Sequence, residues 1–235
     1  SAAIDTGNDT VCATDPVNKH DQRGVTRPFG AHCDIGSYEL NTGTLTFRSV
    51  GAYDGWILES SETSGLGGTL NATSPTFNIG DGAANKQYRG ILSFNTAILP
   101  DTTVITRLTL KIRVYGALVG DNNPFSWGSG LKVDVCKSIF GTSGALQLGD
   151  FNFNNTKNCK LLAGTFDSTP SLGWYTANLG SLAWSKINII GLTQFRLRFY
   201  TDDNDDGVAD YWRFISGNYA TASERPTLII EYYVP

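Results

Sequence analysis

From Thr44 onward the chain alternates apolar and polar positions with a period of two. In the stretch from Ile105 to Tyr115, Leu108, Leu110, Ile112 and Val114 fall on one phase, and Arg107, Thr109, Lys111 and Arg113 on the other. The same rhythm sets Leu45 and Phe47 against Thr46 and Arg48, and Phe195, Leu197 and Phe199 against Arg196 and Arg198. It ends the chain with Leu228, Ile230 and Tyr232 against Ile229, Glu231 and Tyr233. Period two places one phase on a core and the other in water, as in a strand half buried in an antiparallel sheet. Tyr88 to Phe94 is more continuously apolar and reads as a buried strand, and Leu99-Pro-Asp-Thr reads as a turn. No segment keeps a helical period for three turns, and Leu179 to Ile190 is the stretch that reads as a short helix. So many strands predict two packed antiparallel sheets, an all-β sandwich, rather than a parallel α/β sheet.

Residues 1–43 lack this rhythm. Thr6 to Phe29 is dense in Asp, Asn, Thr, Gly and Arg, and the segment's apolar residues are sparse: Ile4, Val11, Val17, Val25, Phe29, Ile35 and Tyr38. The reading is therefore an irregular N-terminal extension over 1–43 and a sandwich over 44–235.

Ser1-Ala-Ala-Ile-Asp-Thr-Gly, Asp21-Gln-Arg-Gly-Val-Thr-Arg-Pro and Cys33-Asp-Ile-Gly-Ser-Tyr-Glu resemble the closing segment of secreted bacterial right-handed β-helix proteins. There the segment follows the last coils of the solenoid, which is missing here. Farther on, Tyr88-Arg-Gly-Ile-Leu-Ser-Phe-Asn, Val104-Ile-Thr-Arg-Leu-Thr-Leu-Lys-Ile and Arg225-Pro-Thr-Leu-Ile-Ile-Glu-Tyr are similar to DNRLRE-type jelly-roll domains. That resemblance implies an antiparallel jelly-roll β-sandwich on a bacterial surface protein or a secreted polysaccharide-active protein, in some cases acting as a carbohydrate-binding module.

Composition narrows the partners. The net charge of -4 comes with no basic block, which argues against nucleic acid, since phosphate binding needs clustered Lys and Arg. No apolar run approaches the roughly 18 residues that would span a bilayer. The sequence holds no Met, so Ser1 is not expected to be a translation start, and a removed leader or a longer upstream segment is implied. The four cysteines fit an oxidising, extracellular or cell-surface location. They allow three pairings. Proximity favours Cys12–Cys33 and Cys136–Cys159, with free buried thiols as the competing reading, and the wide spacing speaks against zinc.

The sharpest chemical signal is Thr201-Asp-Asp-Asn-Asp-Asp-Gly-Val-Ala-Asp210. From Asp202 it matches the first nine positions of a calcium loop. Asp202, Asn204, Asp206 and Asp210 offer side-chain oxygens, Val208 a carbonyl, and Gly207 the sharp turn. The acidic residue expected at the twelfth position is replaced by Arg213, so a last ligand has to come from elsewhere. A solvated acidic hairpin turn is the alternative. Catalytic signals are poor: His20 and His32 both lie in the extension, and Asp54, Glu59 and Glu62 are the carboxylates that would form a glycosidase pair if brought together. Phe125 and Trp127, in a polar Gly-rich loop, either stack on a sugar or a protein neighbour or fold back as a plug over the end of the sandwich. The expected function is a non-catalytic extracellular structural or assembly module of a bacterial surface protein or fibre, whose partners are other copies or other surface proteins; its extension either packs on its own sandwich or polymerises the chain, with Ile35 to Glu39 or Ala2 to Asp5 adding a strand to a neighbour's open sheet edge. Polysaccharide binding is the alternative.

Overall fold

The computed structural model describes residues 2–235; Ser1, which opens the β-helix-like motif, lies outside them. Among the described residues the chain forms two short helices, α1 (Asp9–Ala13) and α2 (Ser181–Trp184), and twelve strands. The strands are β1 (Asn41–Arg48), β2 (Gly55–Glu59), β3 (Gly67–Asn71), β4 (Thr76–Gly82), β5 (Lys86–Asn95) and β6 (Val104–Arg113), followed by β7 (Leu131–Lys137), β8 (Cys159–Thr165), β9 (Trp174–Asn178), β10 (Leu192–Phe199), β11 (Tyr211–Ile215) and β12 (Thr227–Val234). Four of them form a sheet in the order β1-β12-β6-β9. The other eight form a second sheet in the order β11-β4-β5-β10-β7-β8, with β2 attached to β5 and β3 to β2. Pairing is antiparallel, with Phe195 of β10 standing opposite Leu92 of β5 and Val135 of β7. The expected all-β class is the observed one.

The chain divides into two compact units. The larger comprises Thr46–Leu99 and Arg107–Ile229. Its core holds the alternating residues read from the sequence: Leu108, Leu110 and Ile112 from β6, and Leu92, Phe94, Val133, Val135, Phe195 and Leu197 from the larger sheet, are buried. Tyr175 of β9 meets Phe214 of β11 edge-on at 5.6 Å, joining one sheet to the other. Each such side chain contributes roughly 1.5–3 kcal/mol by leaving water.

One phase is corrected. Period-two alternation places Arg196 on a solvated face, yet it is buried. Its Nε and Nη2 donate to Asp134 Oδ2 at 3.0 and 2.8 Å, and Nη1 donates to the carbonyls of Asp150, Phe151 and Phe153. The reason is a second apolar cluster of Ile57, Ile91, Cys136, Phe140, Leu146 and Phe151 on this face, made where the connection between β7 and β8 folds back over the sheet. A disulfide between Cys136 and Cys159, directly opposite each other on β7 and β8, closes that connection.

The smaller unit comprises residues 2–45 with Pro100–Thr106 and Ile230–Pro235, so the start of β6 and the end of β12 belong with the N-terminal extension. Three carboxylates organise its interior. Asp21 accepts the N–H groups of Arg23, Val25 and Glu39 and the Arg23 guanidinium. Burial alone would raise its pKa, but these donors outweigh burial and hold the carboxyl well below the usual range. Asp34 accepts from the N–H groups of Asp5 and Leu40, and Glu39 from those of Phe29 and Asp34. The Asp-Ile-Gly-x-Tyr-Glu motif thus has a physical role: its carboxylates satisfy backbone donors where apolar residues are too few to form a core. Cys12 and Cys33 are joined, as the spacing favoured.

Candidate metal centre

The acidic loop joins β10 to β11 in the larger unit. Asp205 and Gly207 take positive φ values of 61° and 74°, giving the sharp reversal the sequence pattern asked for. A run of side chains then ties the loop to its own backbone: Asp205 N donates to Asp203 Oδ1 at 2.9 Å and Val208 N to Asp206 Oδ1 at 2.7 Å. Neighbouring turns hold it from outside. Gly207 N donates to Asn85 Oδ1 at 2.6 Å, and Asn122 donates from its backbone to Asp210 Oδ1 and from its amide to Asp206 Oδ2.

Side chains of the loop gather in two groups, and one of them is built from predicted ligands. Asn204, Asp206 and Asp210 come together: the Asn204 amide nitrogen donates to Asp206 Oδ2 at 2.9 Å and to Asp210 Oδ2 at 3.2 Å. Asp202 is exposed outside that set, and the Val208 side chain is exposed as well. The intervening residues Asp203 and Asp205 meet Glu62, with one oxygen from each within 4.8 Å of the others. Burial, and then the charges of Asp202, Asp205 and Glu62, raise the Asp203 pKa. Both groups offer hard oxygen donors and excess negative charge, the chemistry of a calcium or magnesium ligand set.

Sequence reasoning missed two contributors. Asn122 comes from a distant loop. Asp81, on β4, is fully buried, accepts the Asp210 N–H on Oδ1 at 2.9 Å, and has no hydrogen-bond partner on Oδ2. Burial, and then the charges of Asp210 and Asp203, push its pKa up to about 7. In sequence Asp81 stands between Gly80 and Gly82, which gives no sign of a buried carboxylate.

Phe125 and Trp127 are half-buried. Phe125 stacks on Tyr175 at 4.7 Å and meets Phe199 edge-on at 5.0 Å, while Trp127 lies 6.0 Å from Phe199. The three carboxylates considered for a glycosidase pair go separate ways. Asp54 accepts the N–H groups of Ser93 and Gly217, Glu59 those of Gly65 and Gln87, and Glu62 joins the acidic loop. In the smaller unit, exposed His32 contacts Asp9 at 2.8 Å, and that hydrogen bond raises the histidine pKa. No protein-family model and no curated protein matches the chain, so the two resemblances rest on the residues quoted for them.

Proposed function

We propose that this protein is a non-catalytic structural module of an extracellular bacterial surface protein or fibre, and that it associates with other copies of itself through its smaller unit. One observation carries the reading. Val11, Phe29, Ile35 and Tyr38 are between 47% and 61% exposed on a unit whose interior is held by carboxylates. Large apolar side chains left in water on a unit this poor in apolar residues suit an interaction surface. Ile35 and Tyr38, with Ile4, Leu40 and Pro235, also line a groove of about 520 Å³. Among the described residues strand β1 stands at the edge of its sheet, and its first five residues belong to the same unit. The disulfides suit an oxidising location, and a calcium ion on the acidic loop would stiffen the larger unit.

Donation of an extension strand to a neighbour has less support than this surface. Residues 2–5 form turns and 35–37 a bend, 38–39 carry no strand pairing, and the N–H groups of Asp5, Ile35 and Glu39 are bonded within the unit. The test is sedimentation velocity on the full chain and on Ile35→Asp with Tyr38→Ser. Concentration-dependent association that the double substitution removes supports the proposal. Association unchanged by it moves the contact elsewhere.

A second reading, polysaccharide binding, is favoured by one row of side chains in the larger unit. Arg198 stands opposite Lys132, and Arg89 on β5 is close enough that burial, followed by the charges of Arg196 and Arg198, pushes its pKa down to about 9. Tyr200, 54% exposed, follows directly after β10, two residues beyond Arg198. Cations beside an open ring suit an acidic sugar chain. Binding to acidic but not neutral glycans, lost in Tyr200→Ala, is the expected result of that reading, and no glycan binding rejects it.

A further inference from the structure

The two ends of β10 carry opposite charge. The strand starts at Leu192 beside a lysine-rich surface and ends at Phe199, just before the acidic loop. From Lys137 to Ile190 the sequence holds Lys137, Lys157, Lys160 and Lys186 against two acids: Asp150, which is buried, and Asp167, which follows the far end of β8. Backbone geometry gathers the lysines. Lys137 stands opposite Thr193 of β10 and donates its N–H to the Asn158 carbonyl at 2.8 Å. Asn158 directly follows Lys157 and precedes the Cys159–Lys160 start of β8, and the Lys186 ammonium donates to the Lys157 carbonyl at 2.7 Å. None of the four has a carboxylate partner among the described residues. Thr193 also ties this surface to two turns, since its hydroxyl pairs with that of Thr96 at 2.9 Å and accepts the Asn188 N–H at 2.8 Å. Ile98 and Ile190, on those turns, stand mostly in water.

At the other end of the strand Glu62, Asp202, Asp205 and Asp206 are exposed, with Asp203 beside them. Lys86, next to the turn that binds Gly207 through Ala84 and Asn85, sets one positive charge against them. A calcium ion in the loop lowers this negative charge without reversing it. Val208 adds an exposed apolar side chain. Eight residues of extended chain hold the two ends about 25 Å apart. That is roughly three Debye lengths in physiological salt, so the two surfaces do not neutralise each other within one copy.

We propose that the lysine surface at the start of β10 takes the acidic loop of a second copy, with Ile98 and Ile190 supplying the apolar part of the contact. Charge complementarity selects this occupant, because one chain carries both surfaces at opposite ends of one strand. The contact is heterologous, so it repeats head to tail into a filament unless its rotation closes a ring. It shares with the proposed function the premise of self-association. It uses residues of the larger unit alone, so either contact can fail without the other.

The experiment is sedimentation velocity in calcium, at about 0.02 M and about 0.5 M salt, on the full chain. The unmodified protein is compared with Lys137→Glu plus Lys157→Glu, and with Glu62→Lys plus Asp202→Lys; all four side chains are exposed. The unmodified protein associates roughly tenfold or more tightly in the lower salt. Each reversed chain alone loses that gain, because like charges now meet. An equimolar mixture of the two recovers it, because each reversed surface finds its complement on the other chain. No gain in low salt, or a loss that mixing does not restore, overturns the proposal and leaves the apolar contact of the smaller unit standing. A gain that Ile35→Asp with Tyr38→Ser retains supports the proposal, and a gain that this variant abolishes overturns it. Should a reversed chain fail to fold, zero-length carbodiimide cross-linking of mixed labelled and unlabelled unmodified protein serves instead. Links between copies from Lys137, Lys157 or Lys186 to Glu62 or residues 202–206 support the contact; links that leave these residues out, or none between copies, reject it.

Discussion

Replacing Arg196 with Met tests the claim that the outer face of the larger sheet is a second, polar-anchored core. The guanidinium now makes two hydrogen bonds to Asp134 Oδ2 and three to the carbonyls of Asp150, Phe151 and Phe153, and lies over the Phe140 ring at 4.9 Å. Without it, the buried Asp134 carboxylate keeps only the Leu162 N–H at 2.9 Å and the Arg198 Nε at 3.4 Å. Breaking a buried pair by removing one partner costs about 3–5 kcal/mol. The three carbonyls add to this unless water reaches them, so about 4 kcal/mol or more is the expected loss. That is a large fraction of the roughly 5–15 kcal/mol that holds a domain folded. Urea unfolding with disulfides intact measures the change as a shift in midpoint at constant slope. Replacing Asp134 with Leu in the same chain should recover part of the loss, because the unpaired charge is gone while the carbonyls remain unserved. A loss below about 1 kcal/mol, or a double variant no more stable than the single one, would refute the reasoning.

Further predictions concern the other buried groups. Burial pushes Asp54 up to about 7, so the folded chain keeps this proton to a higher pH than the unfolded chain does. Its contribution therefore weakens as pH rises from about 4 to about 7; Asp54→Asn should flatten that slope in pH-dependent melting, and an unaltered slope counts against it. Replacing Cys136 and Cys159 with Ala should cost about 3 kcal/mol and speed amide exchange across the connection between β7 and β8, with exchange elsewhere little changed. Phe125→Ala should lower stability by about 2–3 kcal/mol, read by thermal unfolding, because the ring is packed on Tyr175 and Phe199 rather than held in water.

Legibility from sequence followed the range of the interactions. The strands of the inner core were readable because one period governs them: Leu108, Leu110 and Ile112 are buried as the alternation requires. Where that periodicity misled, the cause was a cover arriving from elsewhere. Nothing near Arg196 in sequence announces that Phe140 and Phe151 fold over it, although the apolar residues of that connection, Phe140, Leu146, Phe151 and Phe153, were a signal left unused. The expected helix shrank to the four residues of α2, since Gly180 and Gly191 flank a stretch too short to propagate. In the acidic loop, spacing identified the turn at Gly207 and three of the side chains that gather. It missed Asp81 and Asn122, 129 and 88 residues away from Asp210 along the chain. Disulfides between near neighbours in sequence were legible for the opposite reason: Cys136 and Cys159 flank a single connection.

Whether this chain works by association is answered most directly by the molar mass of the unmodified protein in solution. Light scattering across a wide concentration range, under oxidising conditions with calcium present, should give a mass that climbs above the 25.4 kDa of one chain as concentration rises. A mass fixed at 25.4 kDa at every concentration would contradict the account and leave the exposed side chains of the smaller unit without the partner assigned to them.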